Sequence, residues 1–288
     1  VCRRLALEPP HDADLAAWER MTRLIIDPPD RVRIAIVGKY TGLKDAYKSI
    51  SESFVHAGIP NLVGVDLQWV DSETLEGKEV GERKLAEVFA GCHGILVPGG
   101  FGDRGIQGKV NAVRYAREQG IPFLGLCLGL HCAMIDMARD LAGLDMANSA
   151  EFDPASPHKV IHLMEDQKYI EMMGGTMRLG AWPCAIAPDT LARRCYGVEE
   201  IRERHRHRYE VNNSYREALE RAGVVFSGVS PDGNLVEILE LPGHPFFLAV
   251  QFHPELKSRP GRPHPLFREF VRAAAEHQQQ GRPSQAEA

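Results

Sequence analysis

The 288-residue chain has the composition of an ordinary globular protein, with 44% hydrophobic and 25% charged residues. Its 34 basic and 39 acidic residues give a net charge of −5, which argues against the broad basic field of a nucleic-acid-binding protein. No apolar run reaches the roughly 20 residues of a membrane helix, and the first residues lack the apolar core of a signal peptide. We therefore expect neither nucleic acid nor membrane as a partner, and one large domain or two small ones.

The cysteines are scattered along the chain rather than grouped. They occupy positions 2, 92, 127, 132, 184 and 195, and none forms the Cys-x-x-Cys spacing of a zinc or thioredoxin-like site. This distribution predicts no metal site, and it favours reduced thiols in a cytoplasmic protein.

Residues 1–30 have the character of an appendage that precedes the folded domain. Apolar residues recur there at helical spacing, at Leu15, Trp18, Met21, Leu24 and Ile25. The Asp27-Pro28-Pro29-Asp30 run then ends the helix. We interpret this segment as a linker from an upstream domain that is missing from the chain.

From residue 31 the pattern alternates between strands and helices. Strands are predicted at 32–37, 65–70, 94–97 and 122–126, and helices at 44–57, 81–90, 106–118 and 128–141. This alternation is typical of an α/β fold with an open, mostly parallel sheet and helices on both faces.

After about residue 150 the chain becomes rich in short strands, which predicts an additional small β-rich portion. These strands fall at 176–187, 209–211, 224–229, 235–240 and 246–252, with helices at 215–222 and 266–276. The domain should therefore span residues 31–276. Residues 277–288 are polar and lack an apolar face, so we expect a disordered tail.

Cys127 lies in a Gly-x-Cys-x-Gly turn between a predicted strand and a predicted helix. Such a turn strains the backbone of the nucleophile and exposes its side chain at the edge of the sheet. The helix N-terminus favours a thiolate, and the amide of Leu128 is free to face a developing oxyanion. The alternative is a buried structural cysteine, which is how we interpret Cys132.

A glycine-rich loop follows the preceding strand, with glycines at 99, 100, 102 and 105. Ligands of open α/β sheets bind beyond the carboxyl ends of the strands, so this loop should lie beside Cys127. Its amides are candidates for the second half of an oxyanion hole. A P-loop is excluded because Gly108-Lys109 is followed by Val110, where a metal-binding hydroxyl is required.

His253 follows the last predicted strand, and Glu255 lies two residues further on. An extended chain would place both side chains on the same side. Glu255 would then orient the imidazole of His253, which would act as general base and later as general acid towards Cys127. The alternative is an ordinary surface histidine in a loop.

At this point three motifs resemble, in order, the signatures of class I glutamine amidotransferases. They are Gly99-Gly100-Phe101-Gly102, Gly125-Leu126-Cys127-Leu128-Gly129 and Gln251-Phe252-His253-Pro254-Glu255. More narrowly, the segments 148–152, 174–180 and 204–212 are similar to the C-terminal glutaminase domain of the CTP synthase family. The resemblance implies a flavodoxin-like fold and the catalytic triad Cys127, His253 and Glu255.

The resemblance also implies a reaction larger than this chain. Members of the CTP synthase family make CTP from UTP, ATP and glutamine, and GTP activates them allosterically. ATP, UTP and Mg belong to a synthetase domain upstream of residue 1, and no cofactor is expected in the glutaminase domain itself. The expected partners are glutamine and the synthetase domain, with a homotetramer for the full-length enzyme.

Substrate-binding residues are carried over from the family by position. Gly100, Phe101 and Leu128 match positions that hold glutamine and its oxyanion. Glu151 matches the carboxylate for the substrate's ammonium group, and Arg208 matches the arginine for its α-carboxylate, as a zwitterion requires.

His131 departs from the family, which has glutamine at this substrate-contacting position. Histidine differs in reach and carries a titratable charge. We therefore expect the KM for glutamine to fall as pH rises through the pKa of His131.

Residues 204–208 form a basic run, Arg-His-Arg-His-Arg, in which arginines and histidines should occupy opposite faces of a strand. Acidic residues at 203 and 210 bracket the run, so it favours ligand or interdomain contact over nucleic acid.

Two alternatives to a glutaminase domain remain open at the level of sequence. One is a stand-alone γ-glutamyl hydrolase or peptidase of the same fold. The other is a catalytically weakened binding module, a possibility that the histidine at position 131 leaves open.

Overall fold

The computed structural model describes residues 2–7, 14–39, 41–77, 79–163 and 177–281. The strands are β1 (Asp30–Gly38), β2 (Val63–Asp71), β3 (Gly94–Val97), β4 (Phe123–Leu126), β5 (Asn148–Ser149), β6 (Lys159–Leu163), β7 (Arg178–Ile186), β8 (Glu200–His207), β9 (Tyr209–Val211), β10 (Val225–Val229), β11 (Val236–Glu240) and β12 (Phe247–Val250). The helices are α1 (Cys2–Leu5), α2 (Ala16–Ile26), α3 (Lys48–Asn61), α4 (Glu82–Val88), α5 (Ile106–Gln119), α6 (Leu128–Asp140), α7 (Leu191–Tyr196), α8 (Arg216–Arg221) and α9 (Pro265–Gln280).

A nine-stranded mixed sheet organises the molecule, in the order β2-β1-β3-β4-β12-β11-β10-β7-β8. The first five strands in this order run parallel to one another. Their order is that of a flavodoxin-like sheet, which confirms the predicted fold class. Strands β3, β4 and β12 are buried at every position, as expected of parallel strands that are covered on both faces.

Helices cover both faces of this parallel half. One apolar cluster joins α5 and α6 to the sheet, with side chains such as Val113, Met134 and Phe247. A second cluster on the opposite face joins α3 and α9 to it, through side chains such as Phe54 and Phe270. The sheet is therefore the middle layer of a three-layer sandwich, and its carboxyl edge stays open between the helices.

The β-rich part of the sequence divides between two sheets. Strands β7, β8, β10 and β11 extend the main sheet in antiparallel fashion. The small additional portion is a three-stranded sheet in the order β5-β6-β9. Sequence periodicity could not separate these groups, because it gives the faces of a strand but not the neighbour with which it pairs.

The predicted amphipathic helix near the N-terminus is present as α2, and none of its residues is buried. Trp18 is 61% exposed although it belongs to the apolar stripe. The division of residues 1–30 from the following domain remains a prediction.

At the other end, α9 continues to Gln280, beyond the predicted end at 276. The side-chain amide of Gln278 donates a hydrogen bond to the backbone carbonyl of Arg31 at 2.7 Å, and this bond connects the last turn of α9 to β1. Residues 277–280 are thus helical rather than disordered, Gly281 follows the end of the helix, and residues 282–288 of the expected tail lie outside the described residues.

Among the helices of the described segments, none is both long and apolar enough to span a membrane.

Candidate active site

The carboxyl ends of three neighbouring strands bring the predicted catalytic motifs together. Strand β4 lies between β3 and β12 and is parallel to both. The glycine loop follows β3, Cys127 follows β4, and His253 comes shortly after β12. The two motifs around residues 99–105 and 127 therefore meet the distant motif at residues 253–255 at one edge of the sheet.

Cys127 occupies the strained turn that its motif predicts, with φ 51° and ψ −97°. Its amide donates to the carbonyl of Val250 at 2.7 Å, and its own carbonyl accepts from Leu130 at 3.0 Å. A Cβ atom on Gly129 would lie 2.3 Å from the carbonyl oxygen of Val97, so no larger residue fits there. Close packing of α6 on β3 therefore holds the turn in its unfavourable conformation.

His253 and Glu255 form a close, largely buried pair. The Nδ1 atom of His253 lies 2.8 Å from Oε1 of Glu255, and the two side chains are 15% and 9% exposed. Pro254 begins a short 3₁₀ turn, Pro254–Leu256, and this turn brings the two side chains together. The extended chain expected from the sequence is wrong in this detail, because the 3₁₀ turn achieves the same juxtaposition by folding back.

The charge environment favours a protonated His253. Burial opposes the charge on the imidazole, but the proximity of Cys127 and the hydrogen bond with Glu255 outweigh it and raise the pKa of His253 to about 10. The ring is therefore an imidazolium near neutral pH, a state that pairs with a thiolate. By contrast, burial raises the pKa of Cys92 to about 11 and that of Cys132 to about 12. Cys132 is fully buried, in agreement with its interpretation as a core residue.

The glycine loop lies against both other motifs. A Cβ atom on Gly99 would be 2.8 Å from Cε1 of His253, and one on Gly100 would be 3.2 Å from a methyl group of Leu128. Leu128 is the first residue of α6, so its amide has no intrahelical acceptor. The backbone amides of Gly100 and Leu128 are thus the two candidates for an oxyanion hole near Cys127.

Lys39, which the sequence analysis missed, fixes this loop. Its Nζ atom donates to the carbonyls of Phe101 at 2.5 Å and Gly102 at 3.0 Å. Burial lowers its pKa. Lys39 directly follows β1, at the carboxyl edge of the sheet where ligands of such folds bind. This position is the sequence signal that could have identified it as a site residue.

A cleft of about 330 Å³ contains most of the predicted site residues. It is lined by Gly100, Phe101, Cys127, His131, Glu151, Met177, His207, Arg208 and Tyr209. A neighbouring cleft of about 360 Å³ shares Gly100 and Phe101 and is lined by His253 and Glu255. The structure therefore places every predicted site residue in or directly beside these two clefts.

Glu151 and Arg208 provide opposite charges in the first cleft. Burial raises the pKa of Glu151, whereas a hydrogen bond from the amide of Gly102 and the charges of Lys39 and Arg208 oppose that rise. The Gly102 amide donates to Glu151 at 3.2 Å. The carboxylate of Glu151 therefore lines the cleft close to the positive charges of Lys39 and Arg208.

The basic run divides as its alternation predicts. Arg204 and Arg206 are exposed on β8, whereas His205 and His207 are buried. Arg208 lies in the break between β8 and β9, where it lines the cleft.

Within the described residues, no group of three or more His, Cys, Asp or Glu could hold a metal ion.

Comparison with known proteins gives the class. The model of the family "Glutamine amidotransferase class-I" matches residues 42–273, and the chain belongs to this family.

Within the family, the similarity is to proteins named CTP synthase. That of Synechococcus sp. (strain JA-3-3Ab) is 55% identical over 95% of this chain and 49% of its own length, and that of Rubrobacter xylanophilus is 57% identical over 95% and 48%. The chain thus spans about half the length of the curated relatives it matches. A solved structure, the glutaminase domain of Trypanosoma brucei CTPS with bound acivicin, is 42% identical, has a TM-score of 0.80, and covers 85% of this chain and 94% of that one.

His131 lies in the cleft, but its charge state differs from the sequence-based expectation. Burial lowers the pKa of His131 to about 4, although a hydrogen bond with Gln251 opposes the shift. The ring is therefore neutral near pH 7. The expected titration would fall near pH 4 rather than in the neutral range.

We predict that ionisation of His131 leaves the KM for glutamine unchanged between about pH 6 and pH 9. A lowered pKa keeps the ring uncharged throughout this range, so it cannot repel the substrate's ammonium group. KM should be measured against pH for the parent and for His131→Gln, and the two profiles should run parallel. A fall in KM near pH 6.5 that occurs in the parent alone would contradict a neutral ring.

Proposed function

We propose that this chain hydrolyses glutamine to glutamate and ammonia through a thioester on Cys127. The observation that carries this proposal is the strained cysteine turn beside an imidazolium that is paired with Glu255. In this mechanism the thiolate attacks the amide carbon of glutamine. The amides of Gly100 and Leu128 then face the developing oxyanion, which is where preorganised donors contribute most.

His253 transfers the protons in this scheme. The imidazolium donates a proton to the departing ammonia, and the neutral ring then activates the water that hydrolyses the thioester. Glu255 keeps Nδ1 protonated and stabilises the charged ring, as the acidic member of a triad does.

Glu151 and Arg208 are proposed to hold the two charged ends of the substrate. Both line the cleft that contains Cys127, and they offer an anion and a cation respectively. Free glutamine carries an ammonium group and a carboxylate on its α-carbon, so it matches this pair. Phe101, which is 47% exposed, covers the same cleft from the glycine loop.

For the triad, we predict that His253→Ala lowers kcat for glutamine hydrolysis by about 10²–10⁴-fold, because general acid–base transfer is lost. Glu255→Gln should cost less, since its amide still accepts a hydrogen bond. Released ammonia is the readout. His93→Ala is the matched control, because His93 precedes β3 at the opposite edge of the sheet. Turnover by His253→Ala at the level of this control would refute the assignment.

For substrate binding, we predict that Arg208→Ala raises the KM for glutamine about tenfold or more, because a hydrogen bond between charged groups is worth about 1.5–3 kcal/mol. Arg204→Ala is the matched control, an exposed arginine four residues away that does not line the cleft. Steady-state kinetics of both variants make the test. Equal KM values would assign the substrate carboxylate to another partner.

In its cellular setting, we propose that the ammonia serves the ATP-dependent amination of UTP to CTP. The relatives named CTP synthase support this, as does their twofold greater length, which leaves room for a synthetase domain. ATP, UTP and Mg would bind that domain, GTP would act as allosteric activator, and the whole enzyme would form a homotetramer in the cytoplasm. The free thiols at positions 92, 127, 132, 184 and 195 support a reducing location.

A stand-alone γ-glutamyl hydrolase or peptidase is the competing function. The experiment that separates the two is isotope transfer from amide-labelled ¹⁵N-glutamine, with UTP, ATP and the synthetase domain present. We expect ¹⁵N in the amino group of CTP, and Cys127→Ala should abolish this transfer while free ammonia still supports synthesis. Unlabelled CTP from the active parent, or preferred hydrolysis of γ-glutamyl peptides, would favour the alternative.

A further inference from the structure

Gln251 contacts the sulfur of Cys127 from beneath the cleft. Its Nε2 atom lies 3.8 Å from Sγ of Cys127, and its Oε1 atom lies 3.0 Å from Nε2 of His131. Gln251 is 1% exposed and His131 is 3% exposed, so water competes little for either hydrogen bond. The three side chains form a buried row that is separate from the pair of His253 and Glu255.

The chemistry of these groups fixes the direction of each hydrogen bond. A carbonyl oxygen only accepts, so Nε2 of His131 must carry the hydrogen that points to Oε1 of Gln251. This contact turns the amide nitrogen of Gln251, which only donates, towards the sulfur. His131 is neutral, so its Nδ1 is left as an acceptor, and that atom is buried without a hydrogen-bond partner among the described residues.

Two opposing contacts act on the sulfur. The carbonyl oxygen of Arg206 lies 3.9 Å from Sγ and can only accept a hydrogen bond, so it favours the thiol. The N–H group of Gln251 can only donate, so it favours the thiolate. Without this donor, the carbonyl would face the anion, and the imidazolium of His253 and the N-terminus of α6 would have to offset it.

We propose that Gln251 is a positioning residue whose side-chain amide holds the Cys127 thiolate, and that His131 clamps this amide in the donating orientation. The inference rests on the proposed role of Cys127 as nucleophile and adds a donor outside the triad. The proposal also assigns His131 a role, which is to orient the side chain of Gln251. A glutamine there could clamp Oε1 of Gln251 equally well, because its amide also donates.

The test uses Gln251→Met, which preserves length and packing but removes the donor. His131→Phe tests the clamp separately, because it keeps a ring in place without the hydrogen bond. Gln68→Met is the matched control, since Gln68 also lies beside a cysteine, with Sγ of Cys92 3.5 Å from its Oε1. His131→Gln is the conservative rescue. Thermal unfolding of each variant reports on the fold.

The measurement is the pH dependence of alkylation of Cys127 by iodoacetamide, followed by peptide mass spectrometry. For Gln251→Met we expect the midpoint of the profile to rise by about one pH unit. The rate below the midpoint should fall about threefold, because the smaller thiolate fraction is offset partly by greater nucleophilicity. His131→Phe should shift the midpoint less and in the same direction. The double variant should match Gln251→Met, and His131→Gln and Gln68→Met should match the parent.

A parent-like profile for Gln251→Met would overturn the proposal, and so would a parent-like profile for His131→Phe. A double variant with the sum of both shifts would show that His131 acts without Gln251, which would also overturn the clamp. Failure of the proposed function would look different. In that case iodoacetamide would spare Cys127 in the parent, or Cys127→Ala would still hydrolyse glutamine.

Discussion

The close contact between α6 and β3 at Gly129 is the constraint on which the candidate site depends. Without a side chain at that position, the helix approaches the carbonyl of Val97 closely enough to force Cys127 into positive φ. The strain would relax if the helix could move away, but buried side chains on both faces of the sheet prevent that. Tight packing in the parallel half thus sets the direction of one sulfur atom.

The charged and polar groups next to the sulfur of Cys127 then determine its electrostatic environment. The site places an amide donor and an imidazole that is paired with a carboxylate beside the sulfur, in a largely buried environment where each interaction is stronger than in water. For Cys92, Cys132, Cys184 and Cys195, burial is the largest influence, and it raises the pKa of each thiol. The proposed reactivity of Cys127 therefore depends on its neighbours rather than on cysteine itself.

The antiparallel half of the sheet supplies another side of the cleft that contains Cys127. Strand β8 presents the carbonyl of Arg206 to the sulfur, and the break after it brings Arg208 into the cleft. Buried polar contacts lie on β8 and on the neighbouring strands β7 and β11. His205 lies 3.1 Å from His207, and Arg178 pairs with Glu237 at 2.6 Å. These contacts lower the cost of burying the polar groups, although Nε2 of His205 and Oε2 of Glu237, 3.6 Å apart, have no hydrogen-bond partner among the described residues.

The sequence by itself determined the order of strands and helices in the parallel half, the glycine-flanked turn of Cys127, and the identity of the family. These features are local, since periodicity and turn residues act over a few positions. Tertiary structure decided what depends on distant neighbours. It divided the late strands between two sheets, formed the pair of His253 and Glu255 through a 3₁₀ turn, and placed Lys39 against the glycine loop. It also set the charge state of His131, because burial and a partner 120 residues away determine its pKa, and no local pattern encodes either.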